Sequence, residues 1–137
     1  MENTVSLHQA LIYGMVTITA VDAKVGDTEL TRIGRLVQTL PVFKKFDPER
    51  LTHVTQECAE MLQVDGGLDA VLALIGEAVP ADLTETAYAL AVEIAVSDLN
   101  IAQEEVRFLA RLRDALKLDK LVTSAIERSA TARYQSS

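Results

Sequence analysis

Two acidic segments stand out in the sequence, "AVDAKVGDTEL" at 20–30 and "AVSDLNIAQEEV" at 95–106. In each, an aspartate directly follows an apolar run and a glutamate comes seven residues later. The last carbonyls of a helix are unpaired and partly negative, so Asp22 and Asp98 should each cost about 0.3–1 kcal/mol without a compensating positive charge. A bound cation would supply that charge, and hard cations such as Ca²⁺ and Mg²⁺ prefer oxygen ligands of this kind.

One acidic segment alone offers too few ligands for such an ion. It is not an EF-hand loop, because counting from Asp22 puts Lys24 at position 3 and Ile33 at position 12. A complete site requires both loops to lie together and to pool their oxygens. The predicted ligands are Asp22, Glu29, Asp98 and Glu105, with Asp27, Asn100 and Glu104 as assistants. We therefore predict a divalent-cation site of the Ca or Mg class, with no organic cofactor.

The same acids have a purely structural interpretation. Lys24 is placed to neutralise Asp22, and an aspartate just past a helix is a common loop former. Glu29 and Glu105 each follow a predicted N-cap residue by three positions, where a glutamate caps a helix. In this alternative the chain is a metal-free scaffold or protein-interaction domain, and its acids only cap helices and keep it soluble.

The elements that must position these residues are helical. The composition is 49% hydrophobic with six glycines and three prolines, and apolar residues recur at helical spacing, which predicts an all-α fold. Asp47 and Pro48 are a helix-start signal, and Pro41 stops the helix before it. The predicted seven helices cover 5–21, 27–40, 48–63, 68–79, 80–97, 102–116 and 118–133. We expect one compact domain over 1–137, with its core at about 5–133 and a frayed "YQSS" tail.

The sequence also contains an inexact internal duplication. A shift of 76 residues superimposes 22–40 on 98–116, and both copies match D-x-x-[VI]-x-x-x-E-[LV]-x-x-[IL]-x-R-L. Agreement at Asp, Glu and Arg carries more weight than the apolar matches, which are common between helices. The pattern predicts two related helix–loop–helix units.

At these motifs the chain resembles the TerB-like family of bacterial tellurite-resistance-associated proteins. The stretches "AVDAKVGDTELTRIGRLVQTLPVFKKFDPERL" and "ALAVEIAVSDLNIAQEEVRFLARLRDALKLD" look like the two halves of that family, over about residues 8–120. The resemblance implies a helical domain of about seven helices, an acidic cluster linked to metal binding, and membrane-associated stress-response partners. Asp22, Val25 and Glu29 match the first family loop. The family usually has Asp-Gly in the second loop, whereas this chain has Asp98-Leu99, and leucine does not readily adopt left-handed backbone.

Other functional classes are not supported by the sequence. The net charge is −7 and the basic residues are scattered, which argues against a nucleic-acid partner. No spacing suggests a nucleophile–base–acid set, so we predict a non-catalytic protein. The longest apolar run, 10–21, is too short to span a bilayer, and a lone cysteine fits a reducing compartment, so we expect a cytoplasmic protein.

Single residues outside the loops receive structural interpretations. Cys58 lies on the apolar stripe of its helix and is predicted to be a buried thiol, with His53 on the opposite face in solvent. His8 lies near a fraying helix end. Glu93 interrupts the apolar run "AYALAVEIAV", and we expect it at the rim of the core, paired with an arginine. Arg107 and Arg111 share a helix face that is either a basic patch or a solvated face with local i, i+4 pairs.

Overall fold

Seven α-helices make up the fold in a computed structural model, which describes residues 5–21, 26–97 and 101–135. The helices are α1 (Leu7–Ala20), α2 (Asp27–Thr39), α3 (Leu51–Leu62), α4 (Gly67–Ala78), α5 (Thr84–Val96), α6 (Gln103–Ala115) and α7 (Lys120–Tyr134). Short 3₁₀ turns at Pro41–Phe43, Pro48–Arg50 and Ala81–Leu83 connect some of them. The described ranges contain no strand, and the predicted all-α fold is confirmed.

Helices α1 and α5 form the centre of the domain. Nine consecutive residues of α1, from Ala10 to Ile18, are buried, and eight of the thirteen residues of α5 are buried. A helix that is apolar on all sides is buried on all sides. Accordingly α1 contacts α2, α3, α4, α5 and α6, and α5 contacts α1, α2, α6 and α7. A fully buried leucine or isoleucine in such a core contributes about 1.5–3 kcal/mol.

The helix ends follow local sequence signals. The Ser6 hydroxyl accepts a hydrogen bond from the Gln9 amide at 3.1 Å, while Gln9 Oε1 accepts from the Ser6 amide at 2.8 Å, so α1 begins at a reciprocal capping box. Asp47 accepts from the Glu49 amide at 3.0 Å, which confirms it as a cap, although it caps a 3₁₀ turn that leads into α3. Pro80 likewise precedes a 3₁₀ turn, so α5 begins at Thr84 and not at the proline.

The "DGG" segment forms the turn between α3 and α4, as predicted. Gly66 has a φ of +77°, and a Cβ atom on Gly67 would lie 1.9 Å from the Met61 carbonyl oxygen. The first glycine therefore allows left-handed backbone, and the second allows α4 to begin directly against the end of α3.

Helix α2 runs antiparallel to α5. Arg32 and Ser97 line one cavity, whereas Leu40 and Thr86 line the next cavity along the same pair of helices. Residue numbers therefore rise along α2 as they fall along α5. It follows that the N-terminal end of α2 lies at the C-terminal end of α5.

Helix α7 runs parallel to α5 and forms two polar side-chain contacts with it, while Ala130 and Ile126 pack against the core. Only Thr123 and Ala130 of α7 are buried. The Tyr88 hydroxyl donates to Glu127, and the Tyr134 hydroxyl donates to Glu93. Tyr134 thus belongs to a helix, although the sequence predicted it to be the first residue of a frayed tail.

Candidate metal site

The two acidic loops connect equivalent pairs of helices. The first follows Val21 at the end of α1 and leads to Gly26 before α2, and the second follows Ser97 at the end of α5 and leads to Ile101 before α6. Asp22, Asp98 and Asn100 lie outside the described residues, as do Val25 and Leu99. The predicted ligands that the structure does describe are Glu29, Glu105, Asp27 and Glu104.

Glu29 and Glu105 occupy the same position in their helices. Glu29 Oε1 accepts a hydrogen bond from the Gly26 amide with an N···O distance of 3.0 Å, and Glu105 Oε1 accepts from the Ala102 amide at 2.8 Å. Both glutamates are the third residue of their helix, where a carboxylate also interacts favourably with the helix dipole. The predicted capping role is confirmed for both.

The two glutamates are also shielded from solvent. Glu105 is 8% exposed, and Glu29 is half-buried. Asp27 and Glu104 lie in the first turns of the same two helices and are exposed. A carboxylate has about four lone-pair sites on its two oxygens, so a capping contact is chemically compatible with binding a cation.

The internal duplication is visible in the packing of these helices. Ile33 of α2 and Leu109 of α6 are both buried, and Leu36 and Leu112 face the core at the next turn. The matched arginines, Arg35 and Arg111, differ in their partners. Arg35 forms no ion pair with a described residue, whereas Arg111 forms an ion pair with Asp69 of α4. That partner lies on another helix, so the predicted local i, i+4 pairing is wrong for Arg111.

No group of three His, Cys, Asp or Glu side chains placed to hold a metal ion occurs within 5–21, 26–97 and 101–135. The predicted set needs Asp22 and Asp98, which lie outside these ranges. The residues present fit a hard cation in chemistry, because every predicted ligand is an oxygen donor.

Glu93 lies at the rim of the core, as predicted. Its side chain is 21% exposed and forms an ion pair with Arg133. It also accepts a hydrogen bond from the Tyr134 hydroxyl, and this contact is the largest of the influences that raise the pKa of Tyr134. The arginine comes from α7, forty residues away in sequence, so no local spacing could have identified it.

The histidine and cysteine predictions have different outcomes. Cys58 is fully buried on the stripe of α3, with Sγ 3.5 Å from the Thr17 hydroxyl, and burial raises the pKa of the thiol to about 11. His53 is exposed as expected. The interpretation of His8 as a residue near a fraying end is wrong, because its ring lies against Phe43 and Phe46 and its Nε2 lies 3.0 Å from the Val42 carbonyl oxygen.

The sequence of this helical chain matches the model of a known family. The model of the family described as "Tellurite resistance protein TerB" matches residues 8–127. This chain belongs to the TerB family. A comparison with curated proteins and a comparison with solved structures each found no match. Within the described part of the chain, no helix combines the length and the apolarity needed to cross a membrane.

Proposed function

We propose that this TerB-family chain is a non-catalytic domain that binds one divalent cation through its two acidic loops. The ligands are Asp22, Glu29, Asp98 and Glu105, and occupancy of the site sets the geometry of the loops. That geometry in turn controls the affinity for a protein partner.

The antiparallel arrangement of α2 and α5 is the observation that carries this proposal. Arg32 and Ser97 line the same cavity, and Glu29 precedes Arg32 by one helical turn. The start of α2, which receives the first loop, therefore lies at the end of α5, which leads into the second loop. Two acidic segments 76 residues apart in sequence thus connect to the same end of one helix pair. A shared site requires this arrangement.

The choice of cation follows from the ligands. Four carboxylates supply a hard, negatively charged oxygen set, and Asp27, Asn100 and Glu104 offer further oxygens. Calcium takes six to eight such ligands in flexible geometry, whereas magnesium demands a near-ideal octahedron and keeps several waters. Ligands drawn from two separate loops are better suited to the flexible coordination geometry of calcium than to the strict octahedron of magnesium.

A scaffold without metal is the second candidate, and a specific observation supports it. Both Glu29 and Glu105 cap the helix they begin, with N···O distances of 3.0 and 2.8 Å. Capping alone accounts for a glutamate at each of these positions. Under this alternative the acids have no ligand, and the domain acts only through protein contacts.

Isothermal titration calorimetry with Ca²⁺, Mg²⁺ and Mn²⁺ distinguishes the two candidates. We expect saturable binding to the wild type and its loss in the double variant Asp22→Asn with Asp98→Asn. The matched control is Asp65→Asn with Asp82→Asn, which removes the same charge from two exposed turns and should bind normally. No heat with any cation would support the scaffold, and binding that survives in the loop variant would place the site elsewhere.

The cellular role proposed here follows from the family. The domain would act in the cytoplasm of a bacterium during tellurite or related stress, together with membrane-associated stress-response proteins. If the cation controls partner binding, a pulldown in Ca²⁺ should recover a partner that the same pulldown in a chelator does not. Equal recovery of the partner under both conditions would show that partner binding does not depend on the cation.

A further inference from the structure

A cavity of about 330 Å³ lies where α2, α5 and α7 meet. Two arginines of α2, Arg32 and Arg35, line one wall, and Glu93, Ser97 and Tyr134 line the others. This volume is at the lower end of the range for small-molecule sites, about 300–1,000 Å³, and exceeds what a bare ion needs. The cavity is therefore large enough for a small molecule.

The only carboxylate among the cavity-lining residues is already compensated. Glu93 forms an ion pair with Arg133 and accepts a hydrogen bond from the Tyr134 hydroxyl. Its negative charge is thus balanced within α5 and α7, and no other described residue that lines the cavity carries a negative charge to neutralise the arginines of α2.

The guanidinium groups of Arg32 and Arg35 have no ion-pair or hydrogen-bond partner among the described residues, although the Arg35 carbonyl oxygen accepts a hydrogen bond from the Thr39 hydroxyl. They are three residues apart, which puts both on one face of the helix, and Arg32 is half-buried. Arg32 also acts to lower the pKa of Tyr134, which lines the same cavity, but less strongly than Glu93 raises it. Arg35 is exposed, and an anion bound between the two guanidinium groups would offset their like charges.

We propose that this cavity binds an oxyanion through Arg32 and Arg35. The planar guanidinium forks match the oxygens of a phosphate-like group and can bind it in bidentate fashion. The ligand class is a free oxyanion or the phosphate group of a small molecule. This site is distinct from the cation site, because it uses cationic side chains and needs none of the loop carboxylates.

Calorimetry in the presence of a chelator tests the site without interference from divalent cations. The probes are inorganic phosphate, tellurite and ribose 5-phosphate at matched ionic strength. Tighter binding of ribose 5-phosphate than of phosphate would assign a phosphorylated small molecule, and equal binding would assign a free oxyanion. No saturable binding of any of the three would overturn the proposal.

Substitutions then locate the binding. Arg32→Gln with Arg35→Gln should weaken binding at least tenfold. The lysine pair, Arg32→Lys with Arg35→Lys, should have an affinity between those of the wild type and the glutamine pair, since lysine keeps the charge but lacks the planar guanidinium group. Arg107→Gln with Arg128→Gln removes the same charge from exposed positions outside the cavity and should change binding less than twofold. Equal weakening in the two glutamine pairs would mean a diffuse electrostatic effect and would contradict a site at the cavity.

Discussion

Arg32 of α2 and Ser97 of α5 line the same cavity, although 65 residues separate them in sequence. Leu40 and Thr86 line the next cavity along the same two helices, which fixes their antiparallel direction. The start of α2 and the end of α5 are therefore neighbours. Each of these ends adjoins one acidic loop, and the proposed cation site depends on this relationship.

The contact between Glu93 and Tyr134 should stabilise the packing of α7 on α5. We expect Tyr134→Phe to lower the free energy of unfolding by about 1 kcal/mol, because it removes a hydrogen bond to a charged, partly buried carboxylate. A double-mutant cycle with Glu93→Ala, which removes the acceptor, should give a coupling of about 0.5–1.5 kcal/mol when measured by urea denaturation. Asp114→Asn is the control, since its side chain is 75% exposed and should matter by less than about 0.5 kcal/mol. Additive effects of the two substitutions would argue against a direct contact.

Two glycines should respond oppositely to substitution by alanine. Gly67→Ala should destabilise by about 2–3 kcal/mol, because the new methyl group would meet the Met61 carbonyl oxygen at 1.9 Å. Gly14→Ala should instead stabilise by about 0.5–1 kcal/mol, since the added Cβ meets no described atom within 4 Å beyond its chain neighbours and the backbone of its own helix, and alanine favours the helix. Thermal and urea denaturation of both variants measure these changes in the free energy of unfolding. A stable Gly67→Ala variant would contradict the close approach of α3 and α4.

The backbone of the turn between α6 and α7 is strained at Lys117, and a substitution there should relieve the strain. Lys117 has a φ of +58°, and the Leu118 amide bonds the Arg113 carbonyl at 3.0 Å, which is the hydrogen-bond pattern of a Schellman motif. Glycine has no steric penalty in that conformation, but it increases the conformational entropy of the unfolded chain. The net effect of Lys117→Gly should be to raise the free energy of unfolding by about 0.5–1 kcal/mol. Lys117→Ala, which keeps the Cβ, should change stability by less than about 0.5 kcal/mol. If the glycine and alanine variants unfold at the same urea concentration, the turn is not strained.

Burial of Cys58 should make its thiol inert. Its pKa of about 11, against an ordinary 9.0, lowers the thiolate fraction at pH 8 by about 100-fold, and the fully buried Sγ also lacks access to reagents. A chromogenic disulfide should therefore react at least 100 times more slowly with the native protein than with the protein in urea. Comparable rates would show that the thiol is accessible.

The same pKa shift gives a stability prediction with a definite sign. A pKa raised on folding means that the folded state holds its proton more tightly, so stability is complete below pH 9 and falls as the pH rises towards 11. The Cys58→Ala variant should lose stability less steeply over this window. Burial also raises the pKa of Tyr13, to about 12. This group therefore adds a further loss of stability at higher pH, in both the wild type and the Cys58→Ala variant. Parallel pH profiles for the two proteins would contradict the shift.

Local features of the fold could be predicted from the sequence. The apolar stripe of α3, the cap at Asp47 and the glutamate caps at Glu29 and Glu105 depend on residues a few positions apart, so their spacing determines them. The sequence predicts that α5 begins at Pro80, but a 3₁₀ turn intervenes because such turns share the start signals of an α-helix.

Contacts between distant helices could not be predicted in the same way. The sequence predicts an arginine partner for Glu93, but the identity of that partner, Arg133, depends on the parallel packing of α7 against α5. The cavity of Arg32 and Arg35 likewise depends on the direction of α2 relative to α5. That the two acidic loops meet stays a prediction, because Asp22 and Asp98 lie outside the described residues and only the adjoining ends of α2 and α5 are seen to be neighbours.

Paramagnetic broadening by Mn²⁺ tests the central claim most directly, because this ion accepts the same oxygen ligands as calcium and magnesium. In amide NMR spectra of the 14.9 kDa protein, substoichiometric Mn²⁺ should broaden the signals of the residues that flank both loops, namely Val21, Gly26, Ser97 and Ile101. Excess Ca²⁺ should restore these signals, and Asp22→Asn with Asp98→Asn should abolish the effect. Broadening confined to one loop, or equal in the wild type and the variant, would contradict a cation shared between the two.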